Sequence, residues 1–308
     1  MKRKLILGVG LVALIALPFF LSGCEEEDVG AAFRGNGTNV SASEAETLAM
    51  AFEVPLILTV DTSNGGVTVK GVEGIQTASV TITRRSRGET LAEAQERVAR
   101  LVVHAEQAGN RITLRYCSIE QEADVRRHSG VDFDVLVPVD ARVQVDTSNG
   151  AIVVEGIDGT IALDTSNGAI DVYDSMGDLT ADTSNGRIEV VRFVGDLRLD
   201  TSNGEVWIED VTGTVSADTS NGSVHYSGTP TAGRNRIDTS NGSVTVRVPM
   251  DASIAFEVDV GTGRIRSSLP LVGDTEGDEW SAQLNPPAEL TFDLRASNGT
   301  IRIEGGGG

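Results

Sequence analysis

The sequence predicts an all-β fold, a single-stranded, right-handed parallel β-solenoid with coils of about 18 residues. Three observations predict it: a recurring pentapeptide, two short runs of alternating apolar residues between consecutive copies, and glycine at fixed positions of each repeat. Copies of Asp-Thr-Ser-Asn-Gly begin at Asp61, Asp146, Asp164, Asp182, Asp200, Asp218 and Asp238. From Asp146 to Asp218 the spacing is 18 residues each time, which is typical of stacked identical units.

The repeat that begins at Asp164 shows the content of one coil. Ile170 and Val172 alternate with polar residues, and Leu179 and Ala181 do so again nine positions later. Such alternation predicts two short strands and excludes an amphipathic helix. Each coil would add one layer of parallel strands about 4.8 Å from the last, and a single coil could not bury its apolar face alone.

The pentapeptide predicts a tight corner between two strands. Glycine accepts backbone conformations that other residues avoid, and Asn or Asp can hydrogen-bond to the local backbone. The alternation predicts that Thr and Asn of each copy point inward, with stacked Asn side chains hydrogen-bonding between layers. Asp and Ser of each copy would point outward.

The N-terminus predicts export. Basic residues Lys2, Arg3 and Lys4 precede an apolar run, which ends at Leu21-Ser22-Gly23-Cys24. This ending resembles the lipobox of bacterial lipoprotein precursors, which implies cleavage of signal peptide 1–23 and lipidation of Cys24. The alternative is an uncleaved membrane anchor. Either interpretation places the remainder on the extracytoplasmic side, lipid-anchored at a cell membrane or outer membrane.

The mature chain divides into three further segments. Residues 24–51, rich in Glu, Gly, Ala and Ser, are expected to be the lipidated cysteine and a flexible acidic tether, and 52–304 the solenoid. An insert at about 83–140 interrupts the repeats. Thr90-Leu91-Ala92-Glu93 has capping-box form, and the following helix has an apolar stripe of Leu91, Ala94, Val98, Leu101 and Val102. This β-helix-β insert would cover the N-terminal edge of the solenoid, and 305–308 would be a disordered tail.

Charge and cysteine content narrow the class of protein. The formal net charge is −20, and removal of 1–23 with its three basic residues makes it −23. Such a chain is repelled by nucleic acid, so no nucleic-acid partner is expected. Apart from Cys24, only Cys117 remains, in a strand-like run where we expect it half-buried, with an exposed reactive thiol as the alternative.

Residues 52–304 resemble the bacterial putative-adhesin family of repeat β-solenoid domains. The matching residues are Ser63-Asn64-Gly65, Ser148-Asn149-Gly150, Ser166-Asn167-Gly168 and their successors, with the Phe52-Glu53-Val54-Pro55 start and the helical insert. The resemblance implies the architecture. It implies little about activity, because the molecular role of that family is largely unknown.

Two outward columns are the candidate functional residues. Asp146, Asp164, Asp182, Asp200 and Asp218 would stack at the layer spacing, where calcium could relieve their repulsion, although an Asp that caps a turn needs no ion. The second column contains Val153, Asp171, Glu189, Trp207, His225 and Thr245. An exposed Trp207 beside Glu189 and His225 could contact a sugar or a protein, or be one isolated surface aromatic.

The sequence favours an interaction protein over an enzyme. Its three histidines lie in separate contexts, and no nucleophile elbow or phosphate-binding loop occurs. We therefore expect no cofactor and a structural or adhesin-like module whose partners are the membrane and an envelope protein or polysaccharide. The alternative is a glycan- or calcium-binding module, or a degenerate polysaccharide-lyase-like β-helix.

Overall fold

The computed structural model describes residues 40–117 and 122–306. In chain order its elements are β1 (Val40–Ala51), β2 (Ile57–Thr62), β3 (Val67–Val72), β4 (Thr77–Gly88), α1 (Leu91–Arg100), β5 (His104–Ala108), β6 (Arg111–Tyr116), α2 (Ala123–Arg126), β7 (Ser129–Pro138), β8 (Arg142–Thr147), β9 (Ile152–Glu155), β10 (Asp158–Thr165), β11 (Ile170–Thr183), β12 (Ile188–Thr201), β13 (Val206–Gly213), β14 (Val215–Thr219), β15 (Val224–Pro230), β16 (Arg234–Asn241), β17 (Val244–Pro249), β18 (Ile254–Ser267), β19 (Val272–Asp274), β20 (Glu279–Leu284) and β21 (Leu290–Gly306). The described strands join in one hydrogen-bonded system, and the helices are short, so the fold is all-β as predicted.

The central repeats stack in parallel and in register. Strand β11 pairs with β12 so that Ile170 lies beside Ile188 and Asp182 beside Asp200. The same pairing of equivalent positions joins β10 to β11 and β12 to β14. Equivalent side chains therefore form continuous columns along the stack, which confirms a solenoid-like array of parallel strands.

Two sheets meet at the corners. The incoming sheet contains the strand segments that lead into a corner, in the spatial order β6, β2, β8, β10, β11, β12, β14, β16, β21 and β18. The outgoing sheet contains the segments that follow a corner or continue that side, in the order β1, β4, β7, β3, β9, β11, β12, β13, β15, β17, β21 and β18. Four long strands, β11, β12, β18 and β21, contribute to both sheets.

The core lies between these sheets and consists of the predicted apolar columns. Ile170, Val172, Leu179 and Ala181 of one repeat are all buried, and so are their equivalents in neighbouring repeats. Each buried Ile, Leu or Val contributes about 1.5–3 kcal/mol relative to an exposed position. Because a column exists only when several coils stack, this stabilisation belongs to the array rather than to a single repeat.

The insert lies at the N-terminal end of the stack, where part of it is itself a layer and β1 adds outside β4. Strands β6 and β7 pair in parallel with β2 and β3 and form the outermost coil. Strands β5 and β4 then add to them in antiparallel orientation. The second half of the predicted insert thus belongs to the solenoid, because its alternating apolar residues continue the core columns.

Helix α1 has the predicted cap and a narrower apolar stripe. The Thr90 side chain accepts a hydrogen bond from the Glu93 backbone N–H at 3.3 Å. Ala94, Val98 and Leu101 are buried, but Leu91 and Val102 are more than two-fifths exposed. The prediction that Leu91 and Val102 belong to the buried stripe is therefore wrong. Val102 lies beyond the C-terminal end of the helix, and Leu91 is its first residue.

The tether prediction for 24–51 is wrong over its second half, while 24–39 lie outside the described residues. Val40–Ala51 forms β1, which pairs along its whole length with β4 in antiparallel orientation. Leu48 and Met50 pack against the core, and Glu46 forms an ion pair with Arg84. Half-buried and exposed residues alternate along this segment, as expected for a strand with one face toward the protein.

The C-terminal end is layered out of chain order. Strand β21 lies between β16/β17 and β18, so the last coil in the sequence is the penultimate coil in space. Strand β20 covers only Ile254–Asp259 of β18, and β19 pairs with β20. Gly305 and Gly306, predicted as part of a disordered tail, pair with Val248 and Pro249; 307–308 lie outside the described residues.

Candidate interaction site

The corners place Thr inside and Asn outside. Thr165, Thr183 and Thr201 are buried, and the Thr183 hydroxyl donates to the Gly168 carbonyl at 3.1 Å. Asn167 and its equivalents are exposed, so their predicted inward orientation is wrong. The chain turns within the pentapeptide, which ends the strict alternation before Asn.

The exposed Asn side chains nevertheless form the predicted ladder. The Nδ2 group of each Asn donates to Oδ1 of the Asn one layer before, at 2.9–3.0 Å, from Asn64 to Asn298. The same Nδ2 groups also donate to a Ser carbonyl of that preceding layer. The ladder therefore fixes the stacking of corners and leaves few free amide groups for a ligand.

The Asp residues of the pentapeptides form one column on the incoming sheet. Seven aspartates follow one another in successive layers, namely Asp61, Asp146, Asp164, Asp182, Asp200, Asp218 and Asp238. Arg115 precedes the column in the next layer at one end, and Arg295 follows it at the other. Arginine thus terminates an uninterrupted acidic column at both ends.

The predicted turn-capping role of these aspartates is wrong. The carboxylates of Asp164, Asp182 and Asp200 accept no hydrogen bond from any described group. The buried Thr hydroxyl satisfies the corner instead, since Thr183 Oγ1 also accepts from the Gly186 N–H at 3.2 Å. Without such hydrogen bonds, the carboxylates of neighbouring layers repel one another.

Burial and neighbouring charges raise the pKa values of three aspartates in the column. Burial, followed by the charges of Asp200 and Asp164, raises the pKa of Asp182 above its ordinary value. Burial and neighbouring aspartates also raise the pKa of Asp146. At Asp218 burial again raises the pKa, although Arg236 opposes it. Among the described residues no group of three or more His, Cys, Asp or Glu side chains is arranged to hold a metal ion.

The second column lies on the outgoing sheet and contains the most exposed aromatic pair. The register places Glu189, Trp207 and His225 side by side in three successive layers, in the order predicted from the spacing. The Trp207 and His225 rings lie 4.8 Å apart between centroids, tilted by 36°. Trp207 is 40% exposed, which is high for a side chain of this size.

Carboxylates surround this pair. Trp207 Nε1 donates to Glu209 Oε2 at 3.1 Å, and His225 Nε2 lies 3.1 Å from Glu205 Oε1. Each ring therefore has a carboxylate at its polar nitrogen, which restricts its orientation. An exposed aromatic face with acceptors at its edges suits a sugar ring or a partner side chain that donates hydrogen bonds.

A charged group and a tyrosine extend the surface toward the N-terminal end. Arg187 donates to Asp171 at 3.1 Å and to Glu189 at 2.7 Å. Tyr173 is half-buried nearby, and its pKa is raised by burial and then by the charges of Asp171 and Glu189. We refer to Tyr173, Arg187, Glu189, Glu205, Trp207, Glu209 and His225 as the Trp207 surface.

The sequence identified three of these residues and missed the others. Trp207, His225 and Glu189 were predicted from the column, whereas Glu205 and Glu209 were not. The sequence could have predicted Glu205 and Glu209, because residues two before and two after Trp207 point to the same face of a strand. Arg187 and Tyr173 could not be assigned from the sequence, because their place in the surface depends on contacts with neighbouring layers.

A depression near the C-terminal end of the stack is occupied by its own ion pairs. It is lined by Gly233, Arg234, Glu257, Thr291, Asp293 and Arg295. The buried Asp293 carboxylate is 2.6 Å from Arg234 and 3.2 Å from Arg295. This buried charge is therefore paired, and the cluster stabilises the C-terminal layers.

The predicted lipid site, Cys24, lies outside the described residues. No described helix combines the length and apolarity needed to cross a bilayer. Cys117 is half-buried at the end of β6, as predicted.

Stacked parallel coils, Ser-Asn-Gly corners and a helical insert at one end define a repeat solenoid-like domain. Residues 57–304 match the Toastrack DUF4097 family, and the chain belongs to that family. The molecular role of this family is unknown.

Solved structures with similar arrangements share little sequence with the chain. A putative adhesin from Bacteroides fragilis is 10% identical, with 85% of this chain and 97% of that chain covered and a TM-score of 0.43. A putative lipid binding protein from Parabacteroides distasonis is 12% identical, with 84% and 96% covered and a TM-score of 0.39. A putative adhesin from Parabacteroides merdae is 12% identical, with 89% and 99% covered and a TM-score of 0.29. No curated protein matches the chain.

Proposed function

We propose that this protein is a lipid-anchored interaction module of the bacterial envelope, which binds its partner through the Trp207 surface rather than catalysing a reaction. The observation that supports this most directly is the exposed Trp207, stacked on His225 and held at its edge by Glu209. Large aromatic side chains in fixed orientations contribute strongly to binding, because little side-chain entropy is lost when a partner covers them.

The proposed arrangement follows the chain. Signal peptide 1–23 is removed, lipidated Cys24 anchors the chain in the membrane, 25–39 connect it to the folded part, and the solenoid begins with β1. We infer a right-handed solenoid with coils of about 18 residues, consistent with pairing of equivalent positions 18 apart. Because β1 lies at the N-terminal end of the stack, this end would face the membrane and β18 would lie farthest from it.

The charge of the chain supports a partner that is neutral or basic at the Trp207 surface. Glu189, Glu205 and Glu209 border the aromatic pair, and the whole chain has a formal net charge of −20. An acidic polysaccharide would be repelled here, whereas a neutral glycan or a basic protein segment would not. We propose an envelope protein as the partner, with a neutral glycan as the second candidate.

The test compares envelope pull-downs and a glycan array for residues 25–308 with and without Trp207→Ala. We expect the variant to lose most retention, on the order of tenfold or more if Trp207 is a binding hot spot. Met176→Ala is the matched control, because Met176 is similarly exposed but lies outside the surface. Equal loss in both variants, or no loss in Trp207→Ala, would contradict the proposal.

The location has its own test. We expect Cys24→Ser to move the protein from the membrane fraction to the soluble extracytoplasmic fraction and to abolish labelling by a radioactive fatty acid. Membrane retention of the unlabelled variant would instead support the uncleaved anchor.

We further propose that the Asp column functions without calcium. Its carboxylates lie in a line terminated by arginines rather than in a converging cage. Melting temperatures in calcium and in chelator should then agree. A clearly higher melting temperature in calcium than in chelator, with no such difference in Asp182→Asn, would establish a cation site instead.

A further inference from the structure

The outermost C-terminal layer has a strand segment with one unpaired edge. Strand β20 covers β18 only as far as Asp259, and the Val260 N–H donates to the Asp278 carbonyl. From Thr262 to Ser267, β18 pairs with β21 on one side and with no described strand on the other. This segment, which we name the distal edge, is six residues or about 20 Å long.

The distal edge carries a local reversal of charge. Arg264 and Arg266 point outward from it, and Arg302 lies beside Arg266 in the adjacent layer. All three are exposed, and none forms an ion pair with a described carboxylate. The central layers of the same sheet instead present Asp171, Glu189, Glu205 and Glu209. In a chain of strongly negative net charge, these three arginines form a local positive cluster at one edge.

The inward side of the distal edge is apolar and incompletely covered. Ile265, between Arg264 and Arg266, packs on the core cluster but remains half-buried, whereas Ile301 beneath it is fully buried. A further strand added at this edge would place its inward side chain over Ile265. Its outward side chains would lie about 5 Å from Arg264 and Arg266.

We propose that the distal edge binds an extended peptide segment of another protein by strand addition, and that this segment alternates acidic and apolar residues. Backbone N–H and C=O groups of Thr262–Ser267 supply the hydrogen bonds, as in other cases of β-augmentation. Arg264, Arg266 and Arg302 select acidic side chains on the outward face, and Ile265 selects an apolar one on the inward face. Arginine on an edge strand also protects against aggregation, so the experiment must separate recognition from protection.

The experiment measures fluorescence anisotropy of a fluorescein-labelled peptide of four Glu-Val repeats titrated with residues 25–308. We expect saturable binding that weakens with salt, and no binding of the matching Lys-Val peptide. Each exposed ion pair changes affinity by at most about fivefold, so Arg264→Ala with Arg266→Ala should weaken binding by up to about 25-fold. Trp207→Ala should bind the peptide normally, which keeps this proposal independent of the proposed function.

Three outcomes would overturn the proposal. Equal binding of a Glu-Val peptide with alternate N-methylated amides would indicate an anion patch without strand addition. Absence of peptide binding, with increased aggregation of the double arginine variant, would show that the arginines only protect the edge. Occupation of the edge by a second copy, seen as a dimer at low micromolar concentration, would exclude a foreign peptide as its partner.

Discussion

Replacement of one aspartate in the acidic column should stabilise the protein. Asp182 lies between Asp164 and Asp200 in adjacent layers, and its carboxylate accepts no hydrogen bond from a described group. Two unit charges about 4.8 Å apart repel by about 0.9 kcal/mol at the dielectric constant of water, and a Debye length of about 8 Å reduces this to about 0.5 kcal/mol. Two neighbours give about 1 kcal/mol for Asp182→Asn. This is an upper value, because half-exposed carboxylates can turn apart and the Arg198 charge favours the Asp182 carboxylate.

A stabilisation of this size corresponds to a rise in Tm of about 2–4 °C for a domain of this length. Thermal unfolding followed by circular dichroism at about pH 7.5 measures it, with Asp251→Asn as the control that removes an equal charge outside the column. The substitution at Asp182 leaves the Thr and Asn contacts of the corner unchanged, because the Asp182 carboxylate takes no part in them.

The pH dependence follows from the raised pKa of Asp182. A carboxyl whose pKa is higher in the folded than in the unfolded chain makes its favourable contribution below the unfolded value, near about 3.9. That contribution is lost as the pH rises through the folded pKa. The advantage of Asp182→Asn should therefore be largest at neutral pH and low salt and vanish at acidic pH. A lower Tm for the variant at neutral pH, or a gain that persists in acid, would refute the reasoning.

Three further predictions concern the stacking. Gly186→Ala places a Cβ atom 1.6 Å from the Gly168 carbonyl oxygen, so the layers must separate and we expect a loss above about 3 kcal/mol in urea unfolding. Gly66→Ala, whose Cβ has its nearest contact at 3.5 Å, should be tolerated; equal losses would show that the close approach is not the cause. Tyr226→Phe removes a buried hydroxyl without a hydrogen-bond partner among the described groups and should leave Tm unchanged or raise it, whereas a loss above about 1 kcal/mol would reveal an unseen partner. Asn185→Ala removes two ladder bonds and should cost about 1–2 kcal/mol in the same assay, and an unchanged midpoint would mean that water replaces the ladder.

The Asn ladder and the buried core show which features could be predicted from the spacing of the repeat alone. Identical residues at identical spacing must stack when the strands pair in register, so the buried columns and the Trp207 column followed directly from the numbering. Asn167 was misplaced because alternation continues only while the backbone stays extended, and the corner ends it one residue earlier. Glu205 and Glu209 could have been added by the same alternation.

The two ends of the stack could not be read from the repeat. Val40–Ala51 lies outside the repeat, and it forms a strand by pairing along its whole length with the edge of β4. In the same way, β21 lies inside β18 although it follows it in the chain. Chain order says nothing about which coil is outermost, since either order buries the same apolar columns.

The sequence by itself determined the all-β class, the stacking of parallel strands and the inward columns. These features depend on periods of 2 and 18 residues, which local chemistry repeats at every coil. Only the tertiary structure decided which groups meet across layers: the arginines that end the Asp column, the carboxylates that hold Trp207, and the unpaired edge at Thr262–Ser267. Contacts between layers can join residues far apart in the chain, 82 positions in the case of Thr147 and Gly65. Their existence depends on the order of layers, which is a property of the assembled array.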